Sequence, residues 1–184
     1  MVFHCYSLKQ AEQLFCALAR RLKSCGIAVH PDKTKIVYCK DSKRRLNYEC
    51  ISFDFLGFTF RPRKAKPRYG NIFTGFTPAI SQSAQKRIGA EIRNCRLQFQ
   101  SSYTLEAIAA TLNPRIRGWL NYYRHFGRGR LYRIVLGLDG ALVRWARRKF
   151  KRLKRSYRKS INYILRIKCQ QPRLFAHWYM LKFG

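Results

Sequence analysis

Residues 112–126 read LNPRIRGWLNYYRHF, and this stretch decides how the second half of the chain folds. Ile116, Trp119, Leu120 and Tyr123 recur at i, i+3, i+4 and i+7, one face of an α-helix, so they form the expected core stripe. Asn113 followed by Pro114 has the chemistry of a helix start, an N-cap and then a residue with no N–H to lose, which predicts a helix opening at Pro114. Arg115, Gly118 and Tyr122 fall on the adjacent face. A glycine inside a helix costs about 1 kcal/mol relative to alanine. Gly118 therefore implies a close approach to the backbone, by a neighbouring helix or by a sugar-phosphate strand. Arginine forks suit phosphate oxygens and aromatic rings stack on unpaired bases, whereas a helix that only fills a core needs neither.

The surrounding sequence keeps the helical period. From Ser81 onward Ala84, Ile88, Ile92, Cys95 and Phe99 step by four, and Thr104 caps a helix with Leu105, Ile108 and Leu112 inward. Asp139 is expected to cap a further helix whose Leu142, Trp145, Ala146, Phe150 and Leu153 point inward. On that same helix Arg144, Arg148, Lys151, Arg152 and Arg155 form a basic stripe. Ser160 is expected to cap a last short helix carrying Ile161, Ile164 and Leu165.

Upstream the pattern is mixed. Met1 to Cys5 suits a short strand. Ser7 with Gln10 three residues on is a capping box for an amphipathic helix to Lys23, stopped by Gly26. Ile27–Val29 and Lys35–Cys39 read as β-branched runs around a Pro-Asp turn. Phe53 to Arg63 reads as a strand bent or closely approached at Gly57, and Gly70-Asn71 as a hairpin turn. The chain is therefore expected to be α+β: residues 1–78 a helix with short antiparallel strands, residues 79–184 an all-helical bundle.

Charge narrows the partners. Among 184 residues there are 39 Lys+Arg against 8 Asp+Glu, a formal +31, while 47% hydrophobic and 15% aromatic residues argue against disorder. So strong a positive field makes sense with a polyanion, and aromatics interleaved with the cations favour nucleic acid over a membrane surface. From Pro114 to the end the only acid is Asp139. Seven cysteines without a Cys-x-x-Cys, and four histidines far apart, indicate neither a zinc module nor a disulfide framework; buried free thiols are the expectation, and no metal ligands are assigned. No signal peptide or long apolar run is present, so the expected location is the cytoplasm or an organellar matrix.

LNPRIRGWLNYYRHF resembles the signature of the maturase-specific domain, or domain X, of group II intron-encoded reverse transcriptases. The segment beginning SLKQAEQLF resembles the palm helix and turn of that family, FLGFTFRPR its next palm motif, FTPAISQSAQKRI the entry to its thumb, and the tail with RLFAHW also agrees. The resemblance implies a palm remnant over residues 1–78 and a thumb with domain X over 79–184. It implies that Phe55, Leu56 and Gly57 support a primer strand and that Lys33 lies near the active-site floor, although Phe55 and Leu56 also suit a core and Lys33 a solvated turn. Arg115, Arg117, Tyr122, Arg124 and Arg128, with the stripe Arg144, Arg148, Lys151, Arg152 and Arg155, would face intron RNA, while Trp119 and Tyr123 suit core packing.

The polymerases of the family hold Mg2+ on an Asp-Asp pair and an earlier Asp. No Asp-Asp occurs in this sequence, so no catalytic residue and no cofactor is assigned. The implied activity is that of a truncated maturase-type fragment that binds structured intron RNA and assists splicing. The alternative is the C-terminal half of a split RNA-directed DNA polymerase, active only with a separate chain that supplies fingers and aspartates, with DNA as a further partner.

Overall fold

A computed structural model describes residues 1–67, 70–126 and 128–180. Seven α-helices and three strands are present among them: α1 (Leu8–Ser24), β1 (Phe53–Phe55), β2 (Phe58–Ala65), β3 (Phe73–Ile80), α2 (Gln82–Asn94), α3 (Leu105–Tyr123), α4 (Arg128–Lys149), α5 (Lys151–Lys154), α6 (Tyr157–Gln170) and α7 (Ala176–Met180). The strands make one antiparallel sheet in the order β1-β2-β3, and the rest is mostly helical, so the class is α+β. The chain forms two compact units, residues 1–53 with 61–76 and residues 54–60 with 77–184.

The first unit has no buried residue among those described. Its helix α1 follows the sequence: the Ser7 hydroxyl accepts from the Gln10 N–H at 3.2 Å, the Gln10 side chain accepts from the Tyr6 N–H at 2.8 Å, and Gly26 leaves the helix at φ +74°. The strands expected at Met1–Cys5, Ile27–Val29 and Lys35–Cys39 are not formed. A strand exists only through its ladder, and these segments lack one; the backbone bond from Tyr38 N–H to Cys50 C=O, at 2.8 Å, is isolated. Phe53–Arg63 is not one bent strand but two. Leu56 (φ 48°) and Gly57 (φ 78°) turn the β1–β2 hairpin, both in the left-handed region that a two-residue primed turn requires.

The apolar core lies in the second unit. Ala84, Ile88 and Ile92 of α2 are buried as the period predicted, but the chain breaks after Cys95 at Arg96 (φ 44°), which turns Leu97 inward and leaves Phe99 exposed. Thr104 caps α3 by accepting from the Ala107 N–H at 3.2 Å. That helix runs without interruption through Asn113 and Pro114, so no new helix begins there. Pro114 withholds an N–H only from the carbonyl of Ala110, an exposed residue where water can take its place. Asn113 is employed elsewhere: its amide donates to Leu174 C=O at 2.9 Å and accepts from the Ala176 N–H at 2.8 Å, which ties α7 to α3.

Asp139 likewise caps nothing. It sits inside α4, where its carboxylate accepts from Trp178 Nε1 at 2.7 Å, His177 Nε2 at 2.9 Å and Lys168 Nζ at 3.2 Å. The α4 helix ends at Lys149 because Phe150 is extended (φ −110°, ψ 111°), its ring set edge-on to Trp145 and Tyr163. The cap of α6 is Ser156, which accepts from the Lys159 N–H at 3.3 Å. Ser160, expected as the cap, is buried one turn later and donates to Leu153 and Ser156 carbonyls. Of its expected inward residues Ile164 is buried and Leu165 is exposed. All seven cysteines are free, and Cys16, Cys25, Cys50 and Cys169 are exposed rather than buried.

Candidate nucleic-acid interface

The hairpin tip and α3 meet within the second unit. The Tyr122 hydroxyl donates to Leu56 C=O at 2.7 Å, which holds a non-glycine residue in the left-handed region despite a cost of order 1–3 kcal/mol. A Cβ on Gly57 would stand 2.6 Å from the Tyr123 hydroxyl, and Tyr123 is buried. Close backbone approach at Gly57, expected from the sequence, is therefore real, and the neighbour is a tyrosine. Phe58 completes the cluster, its ring 5.3 Å from Tyr122, 5.2 Å from Tyr123 and 5.7 Å from Phe126. Gly57→Ala combines a disfavoured φ with a collision against a fixed ring. It is expected to destabilise the second unit by about 1–3 kcal/mol, checked by denaturant unfolding.

Gly118 behaves differently. A Cβ there would meet nothing within 4 Å, so no neighbouring helix explains this glycine. It opens onto a cleft of about 690 Å³, lined by Leu56 and Gly57 of the hairpin tip, by Ser83, Ala84 and Arg87 of α2, and by Trp119, Tyr122 and Tyr123 of α3. Trp119 is half-buried rather than a full member of the core stripe, while Ile116, Leu120 and Tyr123 are buried. Ser83 and Arg87 went unnoticed in the sequence. Their signal was weak, two polar positions on the solvent side of an α2 stripe that is otherwise read from Ala84, Ile88 and Ile92.

The arginines and lysines named from the sequence divide into groups. Arg115, Arg117 and Arg124 are exposed on or just after α3. Arg144 and Arg148 are exposed on α4, but the basic stripe does not continue on that helix, because Phe150 breaks it; Lys151 and Arg152 belong to α5, and Arg155 is its C-cap. Residues 128 to 144 advance about 24 Å along α4 at 1.5 Å per residue. Arg124, before this helix, and Arg144, well along it, accordingly count as two patches. Arg128 opens α4, and its side chain lies outside the described residues.

Part of this charge serves the fold. The Arg148 guanidinium lies 4.6 Å from the centre of the exposed Phe99 ring, Arg147 donates to Lys154 C=O at 3.0 Å, and Lys149 donates to Tyr103 C=O at 2.6 Å. The side chains of Arg115, Arg117, Arg124, Arg144, Lys151, Arg152 and Arg155 make no hydrogen bond or ion pair among the described residues. Ion pairs of the second unit's described residues are found only at Asp139, with Lys168 and His177. Burial works against the Asp139 anion, but hydrogen bonds from His177 and Trp178 and the Lys168 charge outweigh it and hold its pKa at about 2. Burial pushes His177 below its ordinary value, so the ring is neutral at pH 7, donating from Nε2 with Nδ1 buried and unpartnered.

Of the residues assigned to primer support, Phe55 is half-buried and Leu56 is 68% exposed at the hairpin tip, which sets aside a core role for Leu56. Lys33 lies in an exposed turn of the first unit.

Residues 85–163, from α2 to the middle of α6, match the family model of the group II intron, maturase-specific domain. This segment is similar to a maturase-specific domain. The matched residues contain α3, α4 and α5, with Trp119, Tyr122 and Tyr123, Gly118, Arg87 and the exposed cations named above on or beside those three helices. The match supports a maturase-type role in group II intron splicing. The β1–β2 hairpin and the His177 segment lie outside the matched residues. No curated protein and no solved structure matches the chain. No helix among the described residues is long and apolar enough to cross a membrane.

Proposed function

We propose that the protein binds structured group II intron RNA and steadies its splicing-competent fold, the RNA itself performing the chemistry. The observation that carries this reading is the set of exposed cations on the maturase-specific domain that no carboxylate neutralises. Cations without internal partners suit phosphate oxygens, and their spread from α3 through α4 to α5 suits a folded RNA whose backbone passes the surface more than once. Residues 1–78 are read as a palm remnant and 79–184 as a thumb with domain X, with Phe55, Leu56, Gly57 and Lys33 as supports for a nucleic-acid strand. No step requires Mg2+ held by this chain.

The test is purified protein against its intron RNA and an unrelated structured RNA of equal length, with intron splicing measured in parallel. Preferential binding together with faster splicing supports the reading. Equal affinity for both RNAs at physiological salt, with no effect on splicing, overturns it.

A second reading has its own observation. No apolar position of α1 is fully buried in the first unit, where Leu8 is 47% and Phe15 40% exposed. This favours assembly with a separate chain, in the extreme a reverse transcriptase chain supplying fingers and catalytic aspartates, and co-purification from the native source tests it.

A further inference from the structure

The cleft at Gly118 is built in a way that the fold itself does not require. Glycine is a poor helix former, and here no packing contact excludes a larger residue, so the fold alone gives no reason for it. Its effect is to leave its part of the cleft lining, the floor on which Trp119 and Tyr122 border, bare of a side chain. The Tyr122 ring cannot swing in to fill the space, because its hydroxyl is held by Leu56 C=O and its face lies against Phe58. Arg87 of α2, which also lines the cleft, is exposed, and its side chain makes no hydrogen bond or ion pair among the described residues. An aromatic wall, a bare floor and a cation in one cleft of about 690 Å³ match the two halves of a nucleotide, a flat base and a phosphate.

We propose that this cleft receives a single unpaired nucleotide of the bound RNA, its base against Trp119 and its phosphate on Arg87. The proposal rests on the RNA-binding reading above and specifies which RNA feature that reading requires at this site. A base within a duplex has both faces covered by its neighbours. Only an unstacked base can offer a face to an aromatic side chain, which makes the cleft selective for loops, bulges and ends over helices. Preorganisation supports it, since the tyrosine wall is already fixed before binding and needs no further ordering.

The protein carries its own reporter. Of the three tryptophans, Trp145 and Trp178 are each 1% exposed, and Trp119 alone opens onto the cleft. The experiment titrates the full chain with a single-stranded oligoadenylate and with a blunt RNA duplex of the same length. Binding is followed by anisotropy of labelled RNA and stacking by intrinsic tryptophan fluorescence. Oligoadenylate is expected to quench the emission, the duplex is not, and Trp119→Phe is expected to abolish the quench. Gly118→Leu, which places a side chain on the bare floor, is expected to lower the preference for oligoadenylate over duplex about ten-fold, the worth of one stacked base. Helix content and the emission of the buried tryptophans verify that each variant folds.

Equal quenching by duplex and single strand, quenching that persists in Trp119→Phe, or an unchanged preference in folded Gly118→Leu each overturns the proposal. Failure of the broader reading looks different, because intron RNA would then show no preferential binding in the wild-type protein. If intron RNA binds preferentially while oligoadenylate leaves Trp119 unquenched, the RNA-binding reading stands and the cleft proposal falls.

Discussion

Asp139→Ala is expected to destabilise the second unit by about 3–5 kcal/mol, read from chemical denaturation followed by tryptophan emission. One carboxylate on α4 accepts from Trp178, His177 and Lys168, so its removal strands two buried donors and an ammonium group at once. The indole and the imidazole belong to residues that are 1% and 2% exposed, where water cannot substitute. Asp139→Asn is expected to cost less, because the amide oxygen still accepts from the indole. Acid tests the same group independently. With a folded pKa of about 2 against 3.8 unfolded, Asp139 contributes ~2 kcal/mol above pH 3.8 that is lost as pH falls towards 2. His177 has the same sign: its folded value lies below 6.5, so the unfolded chain takes up the proton first as pH drops through 6.5. Stability should thus be flat near neutrality and fall from about pH 6.5 downward, with the lower part of the fall missing in Asp139→Asn. A profile that rises on acidification would contradict the assignment.

What the sequence disclosed and what it hid follow the range of the interactions. Ser7, Ser81 and Thr104 were readable as helix starts because a cap is completed within three residues, and the buried faces of α2 and α3 because the helical period is local. The same local chemistry misled at Asn113, Asp139 and Ser160. Asn113 is a good cap in isolation, but its partners lie 61 and 63 residues on. Those of Asp139 lie 29, 38 and 39 residues on. Strands suffered most. The β-branched runs of residues 27–39 have the composition of strands, yet composition cannot supply the neighbour that makes a ladder. At the candidate site, Gly118 stood out against helix propensity, but the neighbouring helix that could have explained it is absent, and Arg87 and the hairpin tip are brought to it only by tertiary packing. The basic stripe failed at one residue, Phe150, whose aromatic neighbours outweigh the continuation of α4.

Affinity for intron RNA is expected to fall roughly a thousand-fold between 50 and 200 mM monovalent salt, if the seven unpartnered cations of α3 to α5, Arg87 left aside, each engage a phosphate and release about 0.7 counterion. Replacing one of them, Arg124 or Arg152 for instance, should weaken binding to every RNA alike and flatten the logarithmic slope by about 0.7. Arg148→Ala is the informative contrast. Its guanidinium already covers Phe99, so its loss should alter stability more than slope. The two patches make a further distinction. Cations acting independently give additive losses, whereas an RNA that must span Arg124 and Arg144 together gives a double variant whose affinity falls by more than the product of the single effects. Because the phosphate contribution ignores sequence, discrimination between intron and unrelated RNA should widen as salt rises, when shape and unpaired-base contacts make up a growing share of what remains. A slope near zero would mean that the exposed cations are only a solvated face, and the maturase-specific domain would then have to hold its intron by contacts that are not electrostatic.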